Sequence, residues 1–369
     1  MDIEKYLCFP ASYAEGRKWF LKTAKTAGAE ITTAINPHAK GPEGEELATD
    51  MAWFGPADAE RVFVSISGTH GQEYFCGAAG QLHWMLSDQP SELPEGVAVC
   101  LIHAHNPYGA AYHSRCNENF VDLNRNYFDP GTTVRPNRLY DALYEILSTK
   151  EISDHIVDDT MAAFYDFVEK NDTKEAMTAM GGGQDSHSDG LLYCGTGDEW
   201  STENLRKIAR DHLSKAEKVA LIDWHTGLGE YGELTVLNDL DQASDEYRWA
   251  CAWWSGPEAS EALLAREDQP DYIGHVHAGL AADIRAHGAQ VVDAVMEIGT
   301  VDNHSVLGAL LIDRWLQLEC TDTSSPHAVN MRTKMLERLN PSLYSWRQAV
   351  LDKTADMYAR SIRGLVAWT

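Results

Sequence analysis

Three short segments combine a histidine or a glutamate with nearby glycine. They are Ser67-Gly68-Thr69-His70-Gly71-Gln72-Glu73, Asp223-Trp224-His225-Thr226-Gly227 and Met296-Glu297-Ile298-Gly299-Thr300. His70 and Glu73 stand three apart. On a strand-to-helix turn, that spacing lets an imidazole and a carboxylate approach one ion from the same side. His225 is the candidate third ligand. Two histidines and one carboxylate leave a tetrahedral zinc with an open position for water, whereas a structural zinc is closed by four protein ligands. One Zn2+ per chain is the expectation. Such an ion lowers the pKa of its water to about 7, and Glu297 is the candidate general base. Either histidine alone reads as an ordinary turn residue; only the joint pattern argues for a site.

A second polar cluster runs from Asn117 to Tyr127 and contains Asp122-Leu123-Asn124-Arg125-Asn126. Asp122 is placed to accept the second N–H of a ligating histidine and so fix its tautomer. Asn124 and Arg125 are candidates to hold a substrate carboxylate, which a planar guanidinium grips in bidentate fashion. Arg115 is a candidate to stabilise a developing oxyanion. The competing reading is a polar loop whose aspartate and arginine pair with each other.

The elements that must position these groups are legible as apolar runs. Residues 61–67, 97–103, 218–224, 233–237 and 290–296 read as strands, and 12–28 and 73–87 as helices. Strands alternating with helices predict an α/β fold, a parallel or mixed sheet covered on both faces. In open sheets of this kind, sites gather beyond the carboxyl ends of the strands. The three motifs all follow strand runs. Residues 130–215 are more polar, helix-like over 138–170 and broken by Gly181-Gly182-Gly183. They are read as a substrate-side insertion within a domain spanning 1–325. Residues 326–369 are read as a helical extension packed on that core. No internal repeat is visible.

The chain has 369 residues, 44% of them hydrophobic, and a formal charge of −26. A surface that acidic repels phosphate backbones and anionic lipid, which makes nucleic acid and membrane surfaces poor partners. The seven cysteines are scattered and include no CxxC pair. That argues against a disulfide framework or a thiolate zinc site. With no basic segment leading into a long apolar run at the start, a reducing, cytoplasmic setting is expected.

Five stretches, taken in order, resemble the zinc carboxypeptidase superfamily. They are SISGTHGQEYFCGAAGQ (65–81), HAHNPYGAAYHSRCNENFVDLNRNY (103–127), GLLYCGTGDEWS (190–201), LIDWHTGLGEYGEL (221–234) and AVMEIGTV (294–301). The chain is most similar to a bacterial branch described as a domain of unknown function. That branch is related to the succinylglutamate desuccinylase and aspartoacylase deacylases. The resemblance implies a mixed, twisted sheet of about eight strands between helices, a phosphorylase/hydrolase-like fold. It also implies His70, Glu73 and His225 as zinc ligands and Glu297 as base. Asp122 would lie behind His70, with Asn124 and Arg125 at the substrate carboxylate. Arg115 matches the family's oxyanion-side arginine, and Tyr272 is the candidate for its mobile substrate-side tyrosine. Trp224 departs from the branch, which favours Phe or Leu before the histidine. His105, His275 and His277 are read as core or loop residues, with a second metal site as the alternative.

The expected activity is hydrolysis of an amide bond next to a free carboxylate, by a metallocarboxypeptidase acting on peptides. The alternative is a deacylase of small N-acyl amino acids using the same site. A non-catalytic metal-binding module is the third reading. A serine hydrolase is excluded by the lack of a G-x-S-x-G elbow.

Overall fold

The apolar runs assemble into one mixed sheet. The computed structural model describes residues 8–128, 137–255 and 271–368. Within them the strands are β1 (Glu30–Lys40), β2 (Glu46–Phe54), β3 (Arg61–Ser67), β4 (Val97–His103), β5 (Lys218–Gly227), β6 (Leu234–Leu237) and β7 (Gln290–Gly299). Their order across the sheet is β1-β2-β4-β3-β5-β7-β6. The central four, β4, β3, β5 and β7, are parallel. β1, β2 and β6 are antiparallel to their neighbours and occupy the flanks.

Alternation along the parallel strands sorts side chains to two faces. Phe63, Val99, Leu101, Ile222, Val292 and Met296 pack with the helices Tyr13–Thr26, Tyr74–Met85 and Tyr344–Ala367. Val62, Val64, Ile66, Cys100, Leu221 and Val291 pack on the other side with the helices Trp200–Ile208 and Val276–Arg285. Burial on both faces is why these strands read as continuous apolar runs rather than as alternating ones.

A third apolar cluster lies apart from the sheet. It joins the helices Tyr140–Leu147, Asp154–Lys170 and Thr173–Gly181 to Asn303–Leu318 and Pro326–Leu339. Ser153 caps the second of these helices and Asp172 the third, each accepting a backbone N–H of the first turn. The helix-like stretch 138–170 is thus two helices, and the third ends at the triple glycine. No helix of the described residues is long and apolar enough to cross a membrane.

The parallel register carries the functional consequence. Ser67 pairs with Trp224, Trp224 with Met296, and His225 with Glu297. The three sequence motifs therefore leave the same edge of the sheet from adjacent strands. Trp224 itself is buried. Its indole Nε1 donates to Ser65 Oγ at 3.2 Å.

Candidate metal centre and substrate cavity

The first motif turns sharply as it leaves β3. Gly68 has φ +73°, a left-handed conformation that glycine adopts without a Cβ penalty. His70 then leads into a tight 3-10 turn, Gly71–Glu73, that runs into the helix Tyr74–Met85. Gly71 is pressed against the short helix Pro107–Tyr112: a Cβ there would lie 1.8 Å from the carbonyl carbon of Gly109. Only glycine lets the two backbones meet so closely.

His70, Glu73 and His225 are buried together. His70 Nδ1 lies 3.0 Å from Glu73 Oε1. His225 Nδ1 lies 3.1 Å from His70 Nδ1 and 3.3 Å from Glu73 Oε2. The outward nitrogens both face carboxylates. His70 Nε2 is 3.3 Å from Asp122 Oδ1, and His225 Nε2 is 2.9 Å from Asp223 Oδ2. With each aspartate accepting an Nε2–H, a ring in the metal-ligating tautomer turns its Nδ1 lone pair inward. Three electron-rich donors then converge with a carboxylate behind each ring.

That donor set fits a tetrahedral divalent ion. Ligands about 2.0–2.2 Å from such an ion lie roughly 3.3 Å from one another. The two Nδ1 atoms, 3.1 Å apart, are close to this edge, and each lies 3.0–3.3 Å from a different oxygen of Glu73. The donors are imidazole and carboxylate, which suits zinc and several other divalent ions. Burial opposes ionisation of Glu73, but His70 and His225 outweigh it and hold its carboxyl below the usual carboxylate range. Asp122 behaves likewise, burial being overcome by Arg115 and His70.

Asp223 was not singled out from the sequence. Its signal was the two-residue repeat of a strand: Asp223 and His225 share one face of β5. Thr69 Oγ1 donates to both Asp223 oxygens, at 2.8 and 3.0 Å, and so fixes the carboxylate.

A cavity of about 200 Å3 opens in front of these residues. Glu297 lines it, with Oε2 accepting the Leu228 N–H at 3.4 Å. Burial, then repulsion from Glu73, pushes the Glu297 carboxyl up to about 7. Arg115 and Arg125 also line the cavity. Arg115 Nε donates to Asp122 Oδ2 at 2.8 Å, and its Nη1 lies 3.7 Å from Glu73 Oε1. Asp122 thus faces both His70 and Arg115, so the geometry contains both contacts weighed for it in the sequence.

Arg125 differs. It is buried, donates to the carbonyls of Gly181 and Asn124, and carries the ring of Tyr272 5.0 Å from its guanidinium carbon. Among the described residues no carboxylate pairs with it. Asn124 Oδ1 accepts the Val276 N–H at 3.0 Å, which fixes the side chain at the cavity wall. Tyr272 lies on the same wall, against His275 with ring centroids 4.7 Å apart. The rest of the wall is largely apolar and includes Met177, Met180, Leu192, Leu310 and Leu339. These come from residues 137–215 and from the helices of the third cluster.

The three further histidines separate. His105 is fully buried, and among the described residues neither ring nitrogen has a hydrogen-bond partner. His275 and His277 line the cavity instead, next to Asp239. Asp239 follows β6 and carries no sequence pattern that would have revealed it.

The chain belongs to the family described as Protein of unknown function (DUF2817), whose pattern matches residues 9–353. No curated protein matches it in sequence. Among solved structures, it is similar to carboxypeptidase A from Helicoverpa armigera, with TM-score 0.55 and 14% identity over 97% of this chain and 74% of that one. It is also similar to a metallo-carboxypeptidase from Burkholderia cenocepacia, with TM-score 0.44 and 12% identity over 96% of this chain and 69% of that one. The first match gives the architecture its class: a carboxypeptidase-like α/β fold.

Proposed function

We propose that the protein is a zinc-dependent hydrolase that cleaves an amide bond next to a free carboxylate. The observation that carries this reading is the convergence of His70, Glu73 and His225, each imidazole backed by an aspartate, on the cavity that Glu297 and Arg125 also line. The fold shared with a carboxypeptidase A supports it.

In this reading His70, Glu73 and His225 hold one zinc ion, which when bound supplies Lewis acidity and acidifies a water molecule. Glu297 would take a proton from the attacking water and deliver it to the leaving nitrogen. Arg125 holds the substrate carboxylate, since its guanidinium has no carboxylate of its own, and the Asn124 amide assists. Arg115 faces the oxygen on which negative charge develops. Asp122 and Asp223 keep the two imidazoles in their ligating tautomer. Tyr272 closes over Arg125 from the cavity wall.

The cavity favours small substrates. Its volume of about 200 Å3 is below the roughly 300–1,000 Å3 of sites for drug-sized ligands. Short peptides and N-acyl amino acids both fit this description, so deacylation of an N-acyl amino acid is the second reading. Assaying C-terminally varied dipeptides, their amidated counterparts and N-acyl amino acids tests both. Hydrolysis of the free acids with loss of activity on the amides supports the proposal. Equal cleavage of acids and amides would remove the carboxylate clamp, and no cleavage by zinc-loaded protein would remove the hydrolase.

A further inference from the structure

We infer that Asp239, His275 and His277 form a second divalent-cation site on the wall of the same cavity. The residues are distinct from those of the first centre. Their potential ligand atoms lie within 4.8 Å of one another. Asp239 Oδ2 is the hub, 2.9 Å from His275 Nδ1 and 3.7 Å from His277 Nε2. These two distances bracket the edge of roughly 3.3 Å expected between ligands of a tetrahedral ion.

The support behind the ligands is what an ordinary loop cluster lacks. His277 is buried, and its Nδ1 lies 2.8 Å from Asp293 Oδ2. Asp293 is also buried, and its other oxygen accepts from Arg285 Nη2 at 2.6 Å. With Asp293 accepting Nδ1–H, Nε2 is the ring nitrogen that faces Asp239 and is available to a cation there, the same carboxylate–histidine device found at His70 and His225. His275 precedes the helix Val276–Arg285 and His277 lies in its first turn, so one rigid element positions both rings. The positive end of that helix disfavours a cation. The anionic Asp239 at the hub offsets it.

Two imidazoles and one carboxylate, all with nitrogen or oxygen donors, select ions of the zinc, nickel or cobalt type over calcium or magnesium. Three protein ligands leave positions open to the cavity. An ion there would add positive charge to the wall that carries Arg125, and so would strengthen binding of substrates bearing a second anionic group.

The test is zinc stoichiometry of the full chain. Protein is stripped with chelator, reloaded with zinc sulfate, dialysed and measured by mass spectrometry, with circular dichroism confirming the fold of each variant. The native chain is expected to hold two equivalents. His277→Gln and, independently, Asp239→Asn should each bring this to one, and His225→Ala should also leave one. If one variant fails to fold, the other gives the same reading. A native value of one that His277→Gln and Asp239→Asn leave unchanged overturns the second site alone. A native value of one that His225→Ala leaves unchanged, but His277→Gln abolishes, supports the second site while removing the first. A native value of zero overturns both.

Discussion

The Nδ1 atoms of His70 and His225 stand 3.1 Å apart although 155 residues separate them in the chain. Two inward lone pairs would repel at this distance, and a proton or a bound cation between them relieves that repulsion. Asp122 and Asp223 fix the outer nitrogens of the two rings. Removing the ion should therefore lower stability as well as activity. Chelation is expected to reduce the melting temperature and added zinc to restore it, since a ligand that binds only the folded state stabilises it by RT ln(1 + [L]/Kd). His225→Ala should lose the share of this rise that the His70–Glu73–His225 centre contributes, while His155→Ala, a change at an exposed helix position, keeps the rise in full. A melting curve indifferent to zinc would contradict the assignment.

Glu297 should act only when ionised. Its carboxyl, raised to about 7 by burial and by Glu73, loses its proton as pH rises, so kcat/KM should climb with pH on the acid side. A bound cation favours the ionised form and moves this limb below 7. Glu297→Gln should retain zinc, reduce turnover by about 10²–10⁴ and abolish the limb. Stopped assays across pH 4–9, with metal content measured in parallel, check all three outcomes. Turnover near the native level would take Glu297 out of the base role.

Arg125→Ala should raise KM for carboxylate-bearing substrates far more than it lowers kcat, by roughly 10²-fold, the scale of a lost charge-assisted pair. Arg125→Lys should rescue only part of this, because a point charge does not reproduce the two-pronged grip. Amidated substrates should respond little to either change. Equal losses on acids and amides would point to a structural role for Arg125.

Asp313, on the helix Asn303–Leu318, accepts the backbone N–H of Arg115 at 2.7 Å. Burial pushes its carboxyl up to about 7. An unfolded aspartic acid ionises near 4, at about 3.9 in model peptides. Between these values the folded chain holds the proton and the unfolded chain does not, so stability falls as pH rises through this window and levels off above 7. Asp313→Asn is neutral throughout and its carbonyl can still accept from Arg115. The variant should match the native protein at pH 4 and exceed it by a few kcal/mol at pH 8, on the scale of about 1.4 kcal/mol per pH unit. Denaturant titrations at the two pH values measure the difference.

The centre of the fold was legible because β3, β4, β5 and β7 are buried on both faces and therefore read as unbroken apolar runs. β1 and β2 were not. In β1 an exposed edge, Pro37 and a register shift between Ile35 and Lys40 erase any regular pattern. In β2, Thr49 and Asp50 interrupt the apolar run, and the structure shows why the aspartate is tolerated: Arg17 Nε donates to it at 2.7 Å. About eight strands were expected and seven are present in the described residues. His70, Glu73, His225 and Glu297 could be named because each follows a readable strand. Asp239 could not, since a residue in a loop acquires its neighbours from tertiary packing alone.

The pairing of His225 with Glu297 across β5 and β7 has a wider consequence. The spacing between a candidate ligand and the candidate base is set first by the main-chain ladder shared by two central strands. The candidate ligand and base stand on two buried central strands, while Met177, Met180, Leu192 and Leu310 line the cavity from elements outside the sheet. In the proposed hydrolase, such a division would let selectivity drift from one small carboxylate to another without retuning the reaction itself.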